Sequence, residues 1–244
     1  MRRLFVPSLG PSDWRRLLAD PEKQWRRSKS AYESAVSWEA ARRSARGLPP
    51  EIAELFDKTE TFRGASLLLG IPEHQVDLEG GGHASQTDFW ALIDAPSGVC
   101  SLAVEAKAGE SFDKLVSDWL IASPASAGGS ERRPSGKPAR LKQLCELLEF
   151  DEEHAKSCRY QLLHRSVVAI LEALRFRLTT AVFLVHAFGK NTDSFEAFQH
   201  WARLLGVDAS ADRLHRVGVR AGVTLWIAWL AVSPASDATL RDAV

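Results

Sequence analysis

Two acidic residues and a lysine lie in two neighbouring apolar segments of the sequence. Asp88 lies in TDFWALID, and Glu105 and Lys107 lie at the end of VCSLAVEAK. Two adjacent carboxylates repel each other unless a cation lies between them, and hard oxygen ligands suit Mg²⁺ or Mn²⁺. A lysine beside such a cation could hold a phosphate or activate a water. The combination predicts phosphodiester hydrolysis, which needs a nucleophilic hydroxide and positive charge near the developing oxyanion.

The position of these residues matters more than the tripeptide itself. An acid two positions before a lysine occurs often by chance. Here the tripeptide closes an apolar strand, and side chains two apart on a strand share a face, so Glu105 and Lys107 point the same way. The alternative interpretation is a surface ion pair at a strand end, which contributes little to stability.

The elements around these residues predict an α/β fold. Segments 87–95 and 99–106 are typical of a β-hairpin joined by the turn APSG. The apolar runs 181–188 and 223–232 predict buried strands, and 74–78 is a further candidate strand. Helices are predicted at 30–46, 51–57, 61–69, 140–149, 158–176 and 194–205. We expect a mixed central sheet with helices on both faces.

Composition restricts the class of protein. Hydrophobic residues make up 45 % of the 244, enough to bury a core, and 25 % are charged. No apolar run is long enough for a membrane span, and the first residues lack the apolar core of a signal peptide. The three cysteines stand far apart, which favours buried thiols in a reducing compartment over a zinc site or disulfides. We therefore expect one cytoplasmic domain over residues 1–244, without a membrane partner.

Positive charge is concentrated at the amino-terminal end, although the formal net charge is zero. Residues 1–46 hold eleven Lys or Arg and five Asp or Glu. This basic helical region could meet phosphates, or it could be a solvated helical face.

A second basic stretch is rich in Ser, Gly and Pro. Residues 122–140 predict a mobile loop, because their composition cannot bury apolar area. The basic residues of this loop are Arg132, Arg133, Lys137 and Arg140. They could close on a nucleic-acid backbone, or they could be incidental residues of a linker.

The hairpin and its flanking helices resemble the PD-(D/E)xK superfamily, the fold of restriction endonucleases, Holliday-junction resolvases and RecB-type nucleases. The strings GGGHASQTD, VEAK and YQLLHR together resemble a group of uncharacterised bacterial proteins of that superfamily, over about residues 25–205. The resemblance implies a restriction-endonuclease-like core with the order α-β-β-β-α-β. Thr87 stands where the motif has proline, a departure that is frequent in the superfamily.

The resemblance also assigns roles around the metal. It maps the motif's aspartate to Asp88, its second acid to Glu105 and its lysine to Lys107. Both acids would bind Mg²⁺ or Mn²⁺, together with the carbonyl oxygen of Ala106. Members of the superfamily often add an acid from the first core helix. The best candidate for it is Glu39, ahead of Glu33 and Glu54, and a solvated helix residue is the alternative.

A later helix and a loop supply further candidates. Gln161, His164 and Arg165 share one helix face at i, i+3 and i+4. They resemble the element that orients water or phosphate in such nucleases, which implies a catalytic role for Gln161 and substrate binding by the other two. Alternatively, Gln161 and Arg165 tie the helix to neighbouring backbone. His83, in the glycine-rich loop, could approach a phosphate or could be merely exposed. His186, in an apolar strand, is expected to be a core histidine.

These observations predict a metal-dependent nuclease that acts on DNA more readily than on RNA, and a homodimer is compatible with the resemblance. The alternative is a non-catalytic module on the same fold that binds nucleic acid or protein, because a fold does not establish a reaction. The neutral net charge favours this alternative. A third possibility is hydrolysis of another phosphorylated substrate at the same centre.

Overall fold

The chain folds as an α/β protein around a mixed six-stranded sheet with strand order β1-β2-β3-β4-β6-β5. The structure, a computed structural model, describes residues 8–122 and 135–243. The strands are β1 (Ser66–Val76), β2 (Ser85–Asp94), β3 (Cys100–Lys107), β4 (Thr180–Phe188), β5 (Arg213–Arg220) and β6 (Val223–Val232). The first three strands form an antiparallel meander, β3, β4 and β6 run parallel, and β5 is antiparallel to β6.

Helices cover both faces of the sheet. They are α1 (Pro21–Gln24), α2 (Ser30–Ala41), α3 (Pro50–Asp57), α4 (Val116–Ile121), α5 (Lys137–Leu148), α6 (Glu152–Ala155), α7 (Tyr160–Arg175), α8 (Thr192–Leu204) and α9 (Asp237–Asp242), with 3₁₀ turns at Pro11–Leu17 and Glu60–Phe62. On one face the apolar side of α7 packs on Ala103 and Phe183, and on the other Trp38 and Ile52 pack against Val104. The expected mixed sheet with helices on both faces is confirmed.

The central strands β3 and β4 are buried along almost their whole length. Both are covered by helices on two faces, which is why their sequences are continuous apolar runs and do not alternate. The polar exceptions therefore stand out. Glu105 and Lys107 are buried at the carboxyl end of β3, and His186 is buried in β4 beside the Glu51 carboxylate, 3.3 Å away. His186 is thus a core residue, as expected.

The helix predicted at 61–69 is wrong. Only a 3₁₀ turn forms there, and β1 then runs from Ser66 through Gly70 and Pro72, well before the candidate strand at 74–78. Proline is tolerated because β1 is an edge strand. Glycine is required because a Cβ at position 70 would lie 2.3 Å from the ring of Phe89. Strand β5 was not predicted either, since its basic, half-exposed residues lack an apolar run.

The predicted mobile loop at 122–140 is wrong at its carboxyl-terminal end, because α5 already begins at Lys137. The ammonium of Lys137 donates to the carbonyl oxygens of Trp119 and Ala122, at the end of α4. Arg140 donates to backbone carbonyls of the glycine-rich loop, among them that of His83 at 3.0 Å. These two basic residues therefore anchor neighbouring backbone. Arg132 and Arg133 lie outside the described residues.

The amino-terminal region is helical in part. Residues 1–7 lie outside the described ranges, and 11–41 form a 3₁₀ turn followed by α1 and α2. The helix predicted to reach 46 ends at Ala41. The three cysteines are free and buried, as expected. Within 8–122 and 135–243, none of the helices has the length and apolar character that crossing a membrane requires.

We expect Gly70→Ala to destabilise the protein by about 1–3 kcal/mol, because the new methyl group overpacks the Phe89 ring. Leu68→Ala, at an exposed position of the same strand, is the matched control and should change the free energy of unfolding by less than about 0.5 kcal/mol. Urea denaturation measures both. Equal stability of the two variants would contradict the close approach of β1 to β2.

Candidate functional site

The candidate site lies where β2 and β3 run side by side. Phe89 pairs with Val104, so the next residues along the two strands, Asp88 and Glu105, face each other across the ladder. The Asp88 carboxylate accepts a hydrogen bond of 2.6 Å from the backbone N–H of Ala106. The hairpin thus brings Asp88 to the end of β3 that carries Glu105 and Lys107, as the sequence predicted.

Glu105 is the centre of a buried hydrogen-bond network. Its Oε1 accepts from Lys107 Nζ at 2.7 Å and from Gln161 Nε2 at 2.6 Å. Its Oε2 accepts from Arg165 Nε at 2.8 Å. The pair of Glu105 and Lys107 is buried, which excludes the surface ion pair considered from the sequence.

Lys107 is held from several sides. Its ammonium also donates to Gln161 Oε1 at 3.1 Å and lies 4.9 Å from the centre of the Phe112 ring. Because α7 carries Gln161 and Arg165 at i and i+4, one helix face supplies two of the three donors to Glu105. The structure therefore brings Gln161 and Arg165 together with Glu105, Lys107 and Asp88, and the main partners of these two helix residues are side chains of the sheet, not neighbouring backbone.

His164 and Arg165 are turned toward Ser85 and not toward open space. The Oγ of Ser85 lies 2.7 Å from His164 Nδ1 and accepts from Arg165 Nη1 at 3.3 Å. Burial lowers the pKa of His164 well below its ordinary value, and the charges of Arg165, Arg140 and Lys107 act in the same direction. His164 is therefore neutral near pH 7 and supplies no positive charge for a phosphate. His83 is exposed in its loop.

Glu39 has a different position from the one predicted. It is buried, and its Oε1 accepts from the indole N–H of Trp14 at 2.8 Å and from the hydroxyl of Ser8. Its Oε2 lies 3.6 Å from a guanidinium nitrogen of Arg42. These contacts hold the amino-terminal segment on α2, and the structure does not bring Glu39 together with Asp88 and Glu105.

The other two helix acids are also placed elsewhere. Glu33 accepts from the backbone N–H groups of Ser28 and Ala235. Glu54 is exposed on α3. Within the described part of the chain, no group of three or more His, Cys, Asp and Glu residues is arranged to hold a metal ion. A cation here would rest on fewer side chains than the resemblance implies.

Glu73 is an acid of the site that the sequence did not reveal. Pro72 pairs with Phe89 and His74 with Thr87, so Glu73 faces Asp88 from the other side of β2. Its carboxylate accepts from Gln86 Nε2 at 2.8 Å. Burial raises the pKa of Glu73 well above its ordinary value, and the charge of Asp88 adds to the effect. Only the correct placement of β1 could have identified it.

The pKa values of Asp88 and Glu105 are shifted in opposite directions. Burial, followed by the negative charge of Glu105, raises the pKa of Asp88 to about 7. Burial acts on Glu105 too, but the charges of Lys107 and Arg165 outweigh it and lower its pKa. Glu105 is thus a compensated anion, whereas at Asp88 the charges of Arg165 and Lys107 only partly offset burial and the charge of Glu105.

A cavity of about 220 Å³ opens beside Asp88. It is lined by Leu18, Lys23, Gln24, Lys29, Ser30, Ala31, Glu73, Asp88 and Glu110. Mg²⁺ is commonly bound through one or two carboxylates, with water and substrate phosphate completing the shell. Asp88 and Glu73 fit this donor set, because both are oxygen ligands that lack a cation and both line one cavity.

We expect Asp88→Asn to stabilise the protein at about pH 8 by on the order of 2 kcal/mol, and much less at about pH 4.5. The folded-state pKa of Asp88 lies above its unfolded-state value, so the carboxyl destabilises the fold as the pH rises through this interval. Asp94→Asn, at an exposed position of the same strand, is the control. Melting temperatures across pH measure the effect. If Asp88→Asn raised the melting temperature equally at both pH values, the stabilisation would not come from removing the charge of Asp88.

Comparison with known proteins gives a family for the chain. No curated protein matches it, and no solved structure matches it either. A family model described as Domain of unknown function (DUF6946) matches residues 7–234. Since this match covers most of the sequence, the chain belongs to the family Domain of unknown function (DUF6946).

Proposed function

We propose that this protein is a metal-dependent nuclease that hydrolyses phosphodiester bonds with Mg²⁺ or Mn²⁺, on DNA in preference to RNA. The observation that carries the proposal is the position of Lys107. Its ammonium is buried, fixed by Glu105 and Gln161, and lies on the strand next to Asp88, an uncompensated carboxylate at a cavity. Phosphoryl transfer needs a fixed positive charge beside an acid that can bind a metal ion, and Lys107 and Asp88 would supply them.

The order of elements supports the same proposal. Helices α2 and α3 precede the meander β1-β2-β3, and after it the helices α4 to α6 come before α7 and β4, with β3 parallel to β4. With α3 to α6 left aside, this is the α-β-β-β-α-β order expected of a PD-(D/E)xK core. We propose that the sheet is such a core, with the motif residues Asp88, Glu105 and Lys107 at the carboxyl end of β3. The free, buried cysteines support a cytoplasmic location.

Asp88 would hold the cation, with Glu73 as its neighbour in the cavity. The bound cation would supply an acidified water and would neutralise charge on the phosphate. Lys107 does not line the cavity. From the neighbouring strand, its positive charge would stabilise negative charge on the reacting phosphate. Gln161 orients Lys107, and Arg165 keeps Glu105 ionised by its positive charge. Glu105 already accepts three hydrogen bonds, so about one lone-pair site, on Oε2, is left for a metal ion.

One observation favours a second candidate function, a non-catalytic binding module. All three donors to Glu105 come from the protein itself, so the network is complete without a ligand. Such a network can simply join α7 to β3. In that case the cavity would bind a partner without hydrolysis.

We expect the wild-type protein to cleave DNA in Mg²⁺ or Mn²⁺ and not in EDTA, and Lys107→Met to lower the cleavage rate by about 10²-fold or more. Methionine keeps the length of the buried stem and removes the charge. Lys142→Met, at an exposed position of α5, is the control and should cleave like the wild type. Linear, supercoiled and single-stranded DNA and RNA would be compared by gel electrophoresis.

The same proteins allow a test that does not depend on activity. Mg²⁺ should raise the melting temperature of the wild type, because a ligand that binds only the native state stabilises it. Asp88→Asn should abolish this increase. Full cleavage by a folded Lys107→Met variant would contradict the proposed nuclease function. No cleavage of any substrate, with no thermal response to Mg²⁺, would favour the binding module.

A further inference from the structure

The cavity beside Asp88 has walls of opposite charge. Asp88 and Glu73 lie on β2 and β1, while Lys23 and Lys29 line the same space from α1 and from the residue before α2. Carboxylates alone would repel an anion from this cavity. The two ammonium groups give it a second wall on which an anion can be bound while a cation binds to the acids.

The basic residues of α7 do not reach this space. The guanidinium of Arg165 is committed to Glu105 and Ser85, and His164 is neutral and bonded to Ser85. Neither residue lines the cavity. A phosphate that approaches Asp88 must therefore be held by other cations, and those that line the cavity are Lys23 and Lys29.

Both lysines are available for a ligand. The ammonium of Lys23 lies 2.9 Å from Asp20, with 82 % of its side chain exposed, and that of Lys29 lies 3.8 Å from Glu110, with 46 % exposed. Exposed ion pairs of this kind contribute little to stability, so exchanging the carboxylate for a phosphate costs little. The buried pair of Lys107 and Glu105 lacks this freedom.

The first N–H group of α2 already has a partner. The backbone N–H of Ser30 donates to Glu110 Oε1 at 3.2 Å. An incoming anion would therefore meet chiefly the lysine side chains that line the cavity. Two flexible ammonium groups can bind the oxygens of a phosphodiester backbone.

The size of the cavity limits what enters. Its 220 Å³ is below the roughly 300–1,000 Å³ of sites that enclose a drug-sized molecule. A phosphate group with its cation fits such a volume, whereas a base pair does not. The cavity is thus suited to one phosphodiester of a strand whose bases stay outside.

We propose that Lys23 and Lys29 form the phosphate-binding wall of the active-site cavity and hold the backbone of a single nucleic-acid strand against Asp88. This inference rests on the proposed nuclease function and names the substrate-binding residues of the same site. His164 and Arg165, for which the resemblance implied substrate binding, do not line this cavity.

The test measures the binding of a fluorescein-labelled, twelve-nucleotide single-stranded DNA by fluorescence anisotropy over a salt series. Ca²⁺ replaces Mg²⁺, so that a hard cation is present for the acids. The variant Lys23→Ala/Lys29→Ala should bind about tenfold more weakly at low salt, and the slope of log K against log salt should fall by about 1.4, because each single-strand phosphate contact contributes about 0.7. The matched control, Lys142→Ala/Lys156→Ala, removes the same charge from exposed positions outside the cavity and should bind within about twofold of the wild type.

The outcomes separate the inference from the proposed function. Equal weakening in the two double variants, unchanged binding in the first, or no binding by the wild type would overturn the lysine wall, even if the wild type cleaves DNA. Specific weakening in Lys23→Ala/Lys29→Ala supports it. If the wild type then fails to cleave with any metal, the proposed nuclease function is wrong. The inference that Lys23 and Lys29 bind nucleic acid is then kept.

Discussion

The buried carboxylate of Glu105 is the constraint on which this part of the molecule depends. A charge removed from water costs several kcal/mol unless it is paired and hydrogen-bonded. Glu105 meets this condition with three donors, two of them from α7 and one from its own strand. The helix can therefore cross the sheet only at the position where Gln161 and Arg165 both reach β3. The orientation of Lys107 follows from the same network, since its two hydrogen-bond acceptors are Glu105 and Gln161.

The neighbouring carboxylates are not compensated in this way. Asp88 lies between Glu73 and Glu105, and its hydrogen bond from the Ala106 backbone does not offset burial beside another anion. Evolution tolerates such destabilised groups mainly where they serve a function, and strongly perturbed acids in a cavity are candidates for a functional site. The contrast with Glu105 thus separates a buried carboxylate whose charge is compensated from one whose charge is not.

Sequence reasoning located the centre of the site and missed its periphery. Asp88, Glu105 and Lys107 could be placed because side-chain alternation and one short hairpin fix their relation, and i, i+4 spacing did the same for Gln161 on α7. Glu73 was missed because β1 is an edge strand that contains glycine and proline. These two residue types are also typical of the end of a helix, which is how the sequence was interpreted. Local periodicity reports which face of an element is buried.

Glu39 and Arg140 make contacts that the sequence did not predict, for a different reason. Each residue type suited the function proposed for it, but its partner is distant in sequence: the indole of Trp14 for Glu39, and backbone carbonyls of residues 79–83 for Arg140. Such contacts depend on chain packing that spacing does not encode. The same holds for Glu110, whose carboxylate accepts from the backbone of Ala108 after β3 and of Ser30 at the start of α2. Glu110 thereby connects the segment that carries Lys23 and Lys29 to the residues that follow β3. One hydrogen-bonded carboxylate thus sets the position of this side of the cavity.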